Sequence, residues 1–470
     1  MHYTGRCVED FLCKNKQDSY LVKKHVPVTV AGIAALACVG WLAARHAEHV
    51  MLEKSINSFR QTLGPDASLT YKKAWPGLLG RSVKFTALVF RQGQESITAD
   101  DAEISKVSTT GDDARRIGHL VFHKFQLTDT SGNLRMDDLA LDGVTLPTSG
   151  DEKHGTPPQG LEIKHVDAST LHGFISSLQS DISAARLTVD DYGNDEASHL
   201  DARDLKLATN VAPRRQISAK SVLVDGVDLA GLYNNLTYNM PYTPRNGVRD
   251  IQVDGLAIDG TGPLMHVAKV SSHATHSEAS EQEVSSVQGL ELWPAVPNLS
   301  LLPTLGYDHF RGSLVLNLTH DYKADKLHID TFSLDAPDMG RLTMDGDFSE
   351  ANTLALLSAG AADMQVTSMN LSYKDHGLVP KLLANSAKAR GVTPQEFIAS
   401  LQTDLVPQGS DPNAPVPQFV SYLAHPGSGP LTIALRPQQP VPLMAIAASL
   451  SMLPSAPQIA QQLGLTVHAP

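Results

Sequence analysis

Leu139-Ala140-Leu141-Asp142-Gly143-Val144-Thr145-Leu146 is the stretch on which the fold turns. Apolar residues at every second place mark a half-buried strand, because successive side chains of a strand point to opposite faces. The Asp-Gly pair inside it gives either a hairpin turn or a bulge. The same frame returns as Val222-Leu223-Val224-Asp225-Gly226-Val227-Asp228-Leu229 and as Ile251-Gln252-Val253-Asp254-Gly255-Leu256-Ala257-Ile258. A second register links Val166-Asp167, Leu171, Gly173-Phe174 and Leu178 to Val224-Asp225, Leu229, Gly231-Leu232 and Leu236, at a constant offset of 58 residues. Each copy reads as a strand running into one or two helical turns, Leu171 to Leu178 and Leu229 to Leu236. Repetition of this kind predicts neighbouring strands that complete each other's core.

Outward from these repeats, period-two or continuous apolar runs recur from Ser68–Tyr71 and Val83–Phe90 to Leu327–Leu334 and Leu342–Phe348. Between them, Ser271 to Ser286 is polar and reads as an exposed loop. Trp293 to Pro303 reads as a proline-punctuated crossing over the surface. Beyond residue 350 the period lengthens. Leu378, Val379, Leu382, Leu383 and Ala387 form one helical face ended by Gly391. Thr393 and Glu396 form a capping box ahead of Phe397, Ile398, Leu401 and Leu405, with Pro394 at the first helical position. Pro407 to Pro417 reads as a linker, Leu431 to Leu435 as a strand, and Leu443 to Leu453 and Pro457 to Leu463 as helices.

At the other end, Val26 to Ala44 is nineteen residues without a charge. A helix of that length spans roughly 28 Å, close to the ~30 Å hydrocarbon layer of a bilayer. Lys14, Lys16, Lys23 and Lys24 precede it and fewer basic residues follow, which predicts a cytoplasmic N-terminus. Ala35-Leu36-Ala37 before Cys38 leaves processing as a signal peptide or lipoprotein as the competing account. Leu52, Ile56, Phe59 and Leu63 then form one apolar helical face that either docks on its own domain or holds a partner. The three cysteines, Cys7, Cys13 and Cys38, all lie in the first 38 residues, so no disulfide framework is available beyond them.

The formal net charge is −12, and no basic cluster with interleaved aromatics occurs after the apolar segment, which argues against a nucleic-acid partner. The search for chemistry finds no phosphate loop, no H-E-x-x-H and no G-x-S-x-G elbow. His119 with His123, and His273 with His276, have metal-like spacing but no third ligand nearby. Asp137-Asp138 and Asp190-Asp191 are neighbours on strands and face opposite ways, so neither pair forms a dyad. No catalytic, cofactor-binding or metal residue is nominated, and no cofactor is expected.

A basic tail, one apolar N-terminal segment and a cysteine-free β-rich body with Val-Asp-Gly-Val-x-Leu segments resembles the AsmA-like and YdgA-like envelope proteins of Gram-negative bacteria. The resemblance rests on Val26 to Ala44, Ser68 to Phe90 and the two 58-residue copies, and covers residues 20–350. It implies a periplasmic body and, as in some relatives, an apolar groove for lipid or a part in envelope assembly.

The sequence therefore predicts an α+β protein. A cytoplasmic tail (1–25), a transmembrane helix (26–44) and a juxtamembrane helix (45–64) precede an elongated, mainly antiparallel β-rich periplasmic body (65–350). A mixed, mainly helical C-terminal part (351–470) follows. The function expected is that of a single-pass inner-membrane protein, non-enzymatic, that binds lipid or supports envelope assembly. The alternative is an interaction scaffold that holds a membrane partner.

Overall fold

The computed structural model describes residues 56, 67–77, 82–110, 114–146, 160–238, 241–297, 299–349, 364–406, 408–450, 452–453, 455–456 and 458–470. The chain divides into two compact units, 1–245 and 246–470.

The first unit is an antiparallel meander. Strands β3 (Ser82–Gln92), β4 (Glu95–Thr110), β5 (Ala114–Asp129), β6 (Gly132–Thr145), β7 (Ile163–Ile175), β8 (Ser180–Tyr192), β9 (Ser198–Thr209) and β10 (Gln216–Val227) each pair with the next. The short β1 (Ala67–Thr70) and β2 (Lys73–Pro76) both lie along β3. One face is apolar: Phe85, Phe90, Ile104, Leu120 and Phe122 are all buried there. Ile56 is helical and joins that cluster, fully buried. Leu52, Phe59 and Leu63 lie outside the described residues.

These strands are two to three times the usual length of about 5–6 residues, and bulges keep them from being flat. Ala87, Lys124, Thr170 and Asp204 on β3, β5, β7 and β9 have positive φ, as do Lys106, Gly143, Asp191 and Gly226 on β4, β6, β8 and β10. The two sets follow alternate strands and form two lines across the sheet. Asp-Gly is thus resolved as a bulge rather than a hairpin, with Gly143 at φ 61° and Gly226 at φ 73°. Glycine suits such a place because it has no Cβ to clash. Each bulge bends its strand and exchanges the faces of the residues beyond it.

The second unit continues the pattern with β11 (Gly247–Asp259), β12 (Pro263–His276), β13 (Ser280–Leu292), β14 (Phe310–Asp321), β15 (Lys326–Ala336), β16 (Gly340–Ser349) and β17 (Gln365–Asp375), each antiparallel to the next. β18 (Leu431–Leu435) lies between β17 and β20 (Thr466–His468), while β19 (Val441–Pro442) pairs with the start of β17. Helices α2 (Leu378–Arg390), α3 (Pro394–Leu405) and α4 (Pro415–Ala424) contribute Leu383, Phe397 and Tyr422 to the same buried cluster as Val366 and Leu431 of the sheet. The capping box is present: Thr393 Oγ1 accepts from the Glu396 amide, and the Glu396 carboxylate accepts from the Thr393 amide at 2.8 Å.

The expected fold class is corrected. Among the described residues 58% are strand and 17% helix, so the antiparallel sheet dominates the fold. Amphipathic helices such as α2 and α3 need an apolar surface to cover, and β17 and β18 supply it. No helix among the described residues is long and apolar enough to cross a membrane, and the expected single-pass inner-membrane anchorage is withdrawn because the structure lends it no support. Val26 to Ala44, on which it rested, lies outside the described residues.

Two local readings also change. Ser271 to Ser286 is not a loop but the hairpin of β12 and β13, in which Ser271 and Ser286 hydroxyls meet at 2.8 Å across the strands. Its polarity is that of a strand pair with hydroxyl ladders. Of the two 58-residue copies, only the second becomes helical, as α1 (Leu229–Tyr238). There Asp228 accepts from the Gly231 amide at 2.6 Å and caps the helix. The matching place in the first copy is Thr170, which adopts φ 52°, and β7 runs on to Ile175.

Candidate functional site

Helices α2, α3 and α4 of the second unit do not close tightly on the sheet. Between them lies a cavity of about 370 Å³. Leu378, Val379, Leu382 and Leu383 reach it from α2, Phe397 and Leu401 from α3, and Phe419, Tyr422 and Leu423 from α4. Tyr373 and Leu431 form its floor on β17 and β18. Val379 and Leu383 are buried, whereas Leu382 is 42% and Phe419 43% exposed, so the apolar lining runs from the depth to the surface.

The helices have their apolar stripes here for simple reasons of spacing. Apolar residues recur at i, i+3 and i+4 along α2 (Val379, Leu382, Leu383), and Phe397 and Leu401 are one turn apart on α3. Asp375 fixes the start of α2 by accepting from the amides of Gly377 at 2.9 Å and Val379 at 2.8 Å.

Polar groups on the wall are few, Ser386 and two phenols, and the phenols are committed. The Tyr373 hydroxyl shares its one proton between the Met339 carbonyl and Asp375 Oδ1, both at 3.0 Å. The Tyr422 hydroxyl donates to the Tyr373 carbonyl at 3.4 Å. Burial pushes both phenols up, and for Tyr373 the bond to Asp375 adds to it. Neither phenol ionises near neutrality, so the cavity is uncharged.

A second polar feature of this unit is buried rather than open. Glu281 on β13 accepts from Arg249 of β11 at 2.8 Å, from Tyr322 at 2.8 Å, and pairs with His276 of β12 at 2.9 Å. His276, Glu281 and His320 are all buried. Burial by itself raises the Glu281 pKa, but the Tyr322 bond, the Arg249 charge and His276 outweigh it and hold the carboxylate below its usual range. Burial lowers the His320 pKa, against the pull of Asp325, Glu281 and Asp321. Such a network is a stake in the fold rather than an open reaction site.

It makes stability pH-dependent. Because folded His320 resists protonation, the unfolded chain takes up its proton first as pH falls below about 6.5. The stabilisation is therefore complete above that pH and lost below it. The melting temperature should fall between pH 7.5 and 5.5, and H320Q should flatten that slope. An equal slope in the variant would remove His320 from the account.

The residues singled out in the sequence fall elsewhere. His119 and His123 point outward from β5, each held by its own carboxylate, Asp142 at 2.5 Å and Asp138 at 2.7 Å. His273 pairs with Asp250 at 2.7 Å. Asp137 bonds Lys124, and Asp190 bonds His165. On the outer face of the first unit, His119, Asp142, His165, Asp190, His199 and Asp225 stand opposite one another in a single row across β5 to β10. Side chains in such a row run parallel at the ~4.8 Å strand spacing and do not converge. No group of three metal-ligating side chains is found among the described residues.

Sequence reading missed α4, whose Phe419, Tyr422 and Leu423 complete the cavity. The signal was present: Pro415 at a first helical position, then Phe419, Val420 and Leu423 at helical spacing inside and just beyond the supposed linker.

A family model described as "Uncharacterized protein" matches residues 333–470. The whole cavity lies inside that span. No curated protein matches the chain.

Proposed function

We propose that the second unit binds an apolar, chain-like small molecule of acyl type in the cavity beneath α2, α3 and α4, holding it rather than converting it. The observation that carries this reading is depth without polarity: a lining of leucine, valine and phenylalanine that continues from buried Leu383 to exposed Leu382 and Phe419. Its size, about 370 Å³, falls within the ~300–1,000 Å³ of small-molecule sites. An apolar cavity of ~150 Å³ already suffices to hold a benzene. A scaffold that holds a protein partner calls for an apolar patch without depth, and the depth favours the ligand.

The test uses the full chain and a fluorescent long-chain fatty acid. The probe should bind saturably and be displaced by an unlabelled acyl chain. At a hundredfold excess over its Kd, the ligand should stabilise the fold by about 2.7 kcal/mol. L401W, which fills the cavity, should weaken binding roughly tenfold or more, about 1.4 kcal/mol per decade. Unsaturable binding, or equal affinity in a folded L401W variant, overturns the reading.

A further inference from the structure

The outer face of the first unit is rich in charge, and several of its basic residues are answered by an acid. Across strands, Lys124 bonds Asp137 at 2.7 Å, Arg186 bonds Asp167 at 2.8 Å and His123 bonds Asp138 at 2.7 Å, while Arg203 bonds Asp201 of its own strand at 3.1 Å. In another row no such acid answers the basic side chains. Arg135 of β6 stands opposite His172 of β7, His172 opposite Ser183 of β8, and Ser183 opposite Lys206 of β9. Neither Arg135 nor Lys206 has a hydrogen-bonded or ion-pair partner among the described residues.

Those same residues line a cleft of about 390 Å³. It contains two neutral donors, Asn133 and Gln216, and the half-buried ring of Phe174. The one acid on its wall, Asp181, already accepts from the Asn210 amide at 2.9 Å. Arg135 and Lys206 are three strands apart, roughly 14 Å at the backbone. Two long side chains folding inward over His172 and Ser183 can close that gap on one anion with several oxygens. A guanidinium offers paired donors suited to phosphate, and an ammonium adds a point charge.

We infer that this cleft binds a small phosphate ester, its phosphoryl group between Arg135 and Lys206 and its apolar or ring portion against Phe174. The site is independent of the cavity in the second unit.

Calorimetric titration of the full chain with phenyl phosphate tests it, with inorganic phosphate, benzoate and phenol as the comparison ligands. Phenyl phosphate should bind saturably and more tightly than the other three, and more weakly as salt rises. The double variant R135Q/K206Q should lose at least tenfold in affinity with an unchanged melting temperature, because both side chains are exposed. D181N should bind more tightly by removing the one opposing charge. No saturable binding, tighter binding of benzoate than of phenyl phosphate, or equal affinity in the double variant would overturn the assignment.

Discussion

Replacing Glu281 by alanine should lower the stability of the second unit by about 3–5 kcal/mol, the range for breaking a buried ion pair from one side. The carboxylate is 5% exposed and receives Arg249, His276 and Tyr322 together. Without it the Arg249 guanidinium remains inside with no counter-charge, and its Nε is buried without a hydrogen bond among the described residues even before the change. The loss is a penalty for the orphaned cation rather than the worth of the pair, so removing both charges should cost less. Denaturant unfolding of E281A and of E281A/R249M, with hydrogen exchange at β12 to β14, separates these. If the double variant is as unstable as the single, the orphaned-charge account is wrong.

The second large effect lies in the first unit. Phe122 is 1% exposed, and its ring sits 5.2 Å from that of Phe125. Truncation to alanine should cost about 3–5 kcal/mol, combining lost transfer energy with a cavity that long paired strands cannot collapse. Urea melts of F122A give the number, with V121A, from the opposite face of β5, as the control. A loss below about 1 kcal/mol, the scale of a surface substitution or mild repacking, would show that this face is not sealed.

The strands were legible where apolar residues alternated without interruption, as in Leu342 to Phe348, or ran on continuously through a bulge, as in Val83 to Phe90 across Ala87. They were hard to follow where the alternation restarts. In β5 the outward residues are His119, Val121 and His123 before the bulge at Lys124, then Gln126 and Thr128 after it. A scan for period two reads such a strand as two fragments. Polar strands were lost for another reason: β12 and β13 bury little, and their serine and histidine pairs look like loop residues until the partner strand is known. The cavity was half legible. The stripes of α2 and α3 were visible in sequence, but that they fail to meet tightly is a property of packing, which no single helix encodes. The polar cleft depended on cross-strand register, bringing together Arg135, His172 and Lys206 from three separate strands.

The two lines of positive-φ residues also act as a parity count for the sheet. In β7, His165, Asp167 and Ser169 face outward before Thr170, and His172 and Phe174 do so after it. Deleting Thr170 alone would turn His172 and Phe174 towards the apolar side and bring Leu171 into water. The neighbouring strands β6 and β8 would then face a partner one residue out of step. A shortened chain could restore the match only by losing a residue at the same level in several strands at once. Length changes should therefore be tolerated in the turns between strands and rejected within them, so the sheet fixes not only which residues vary but where the chain can grow.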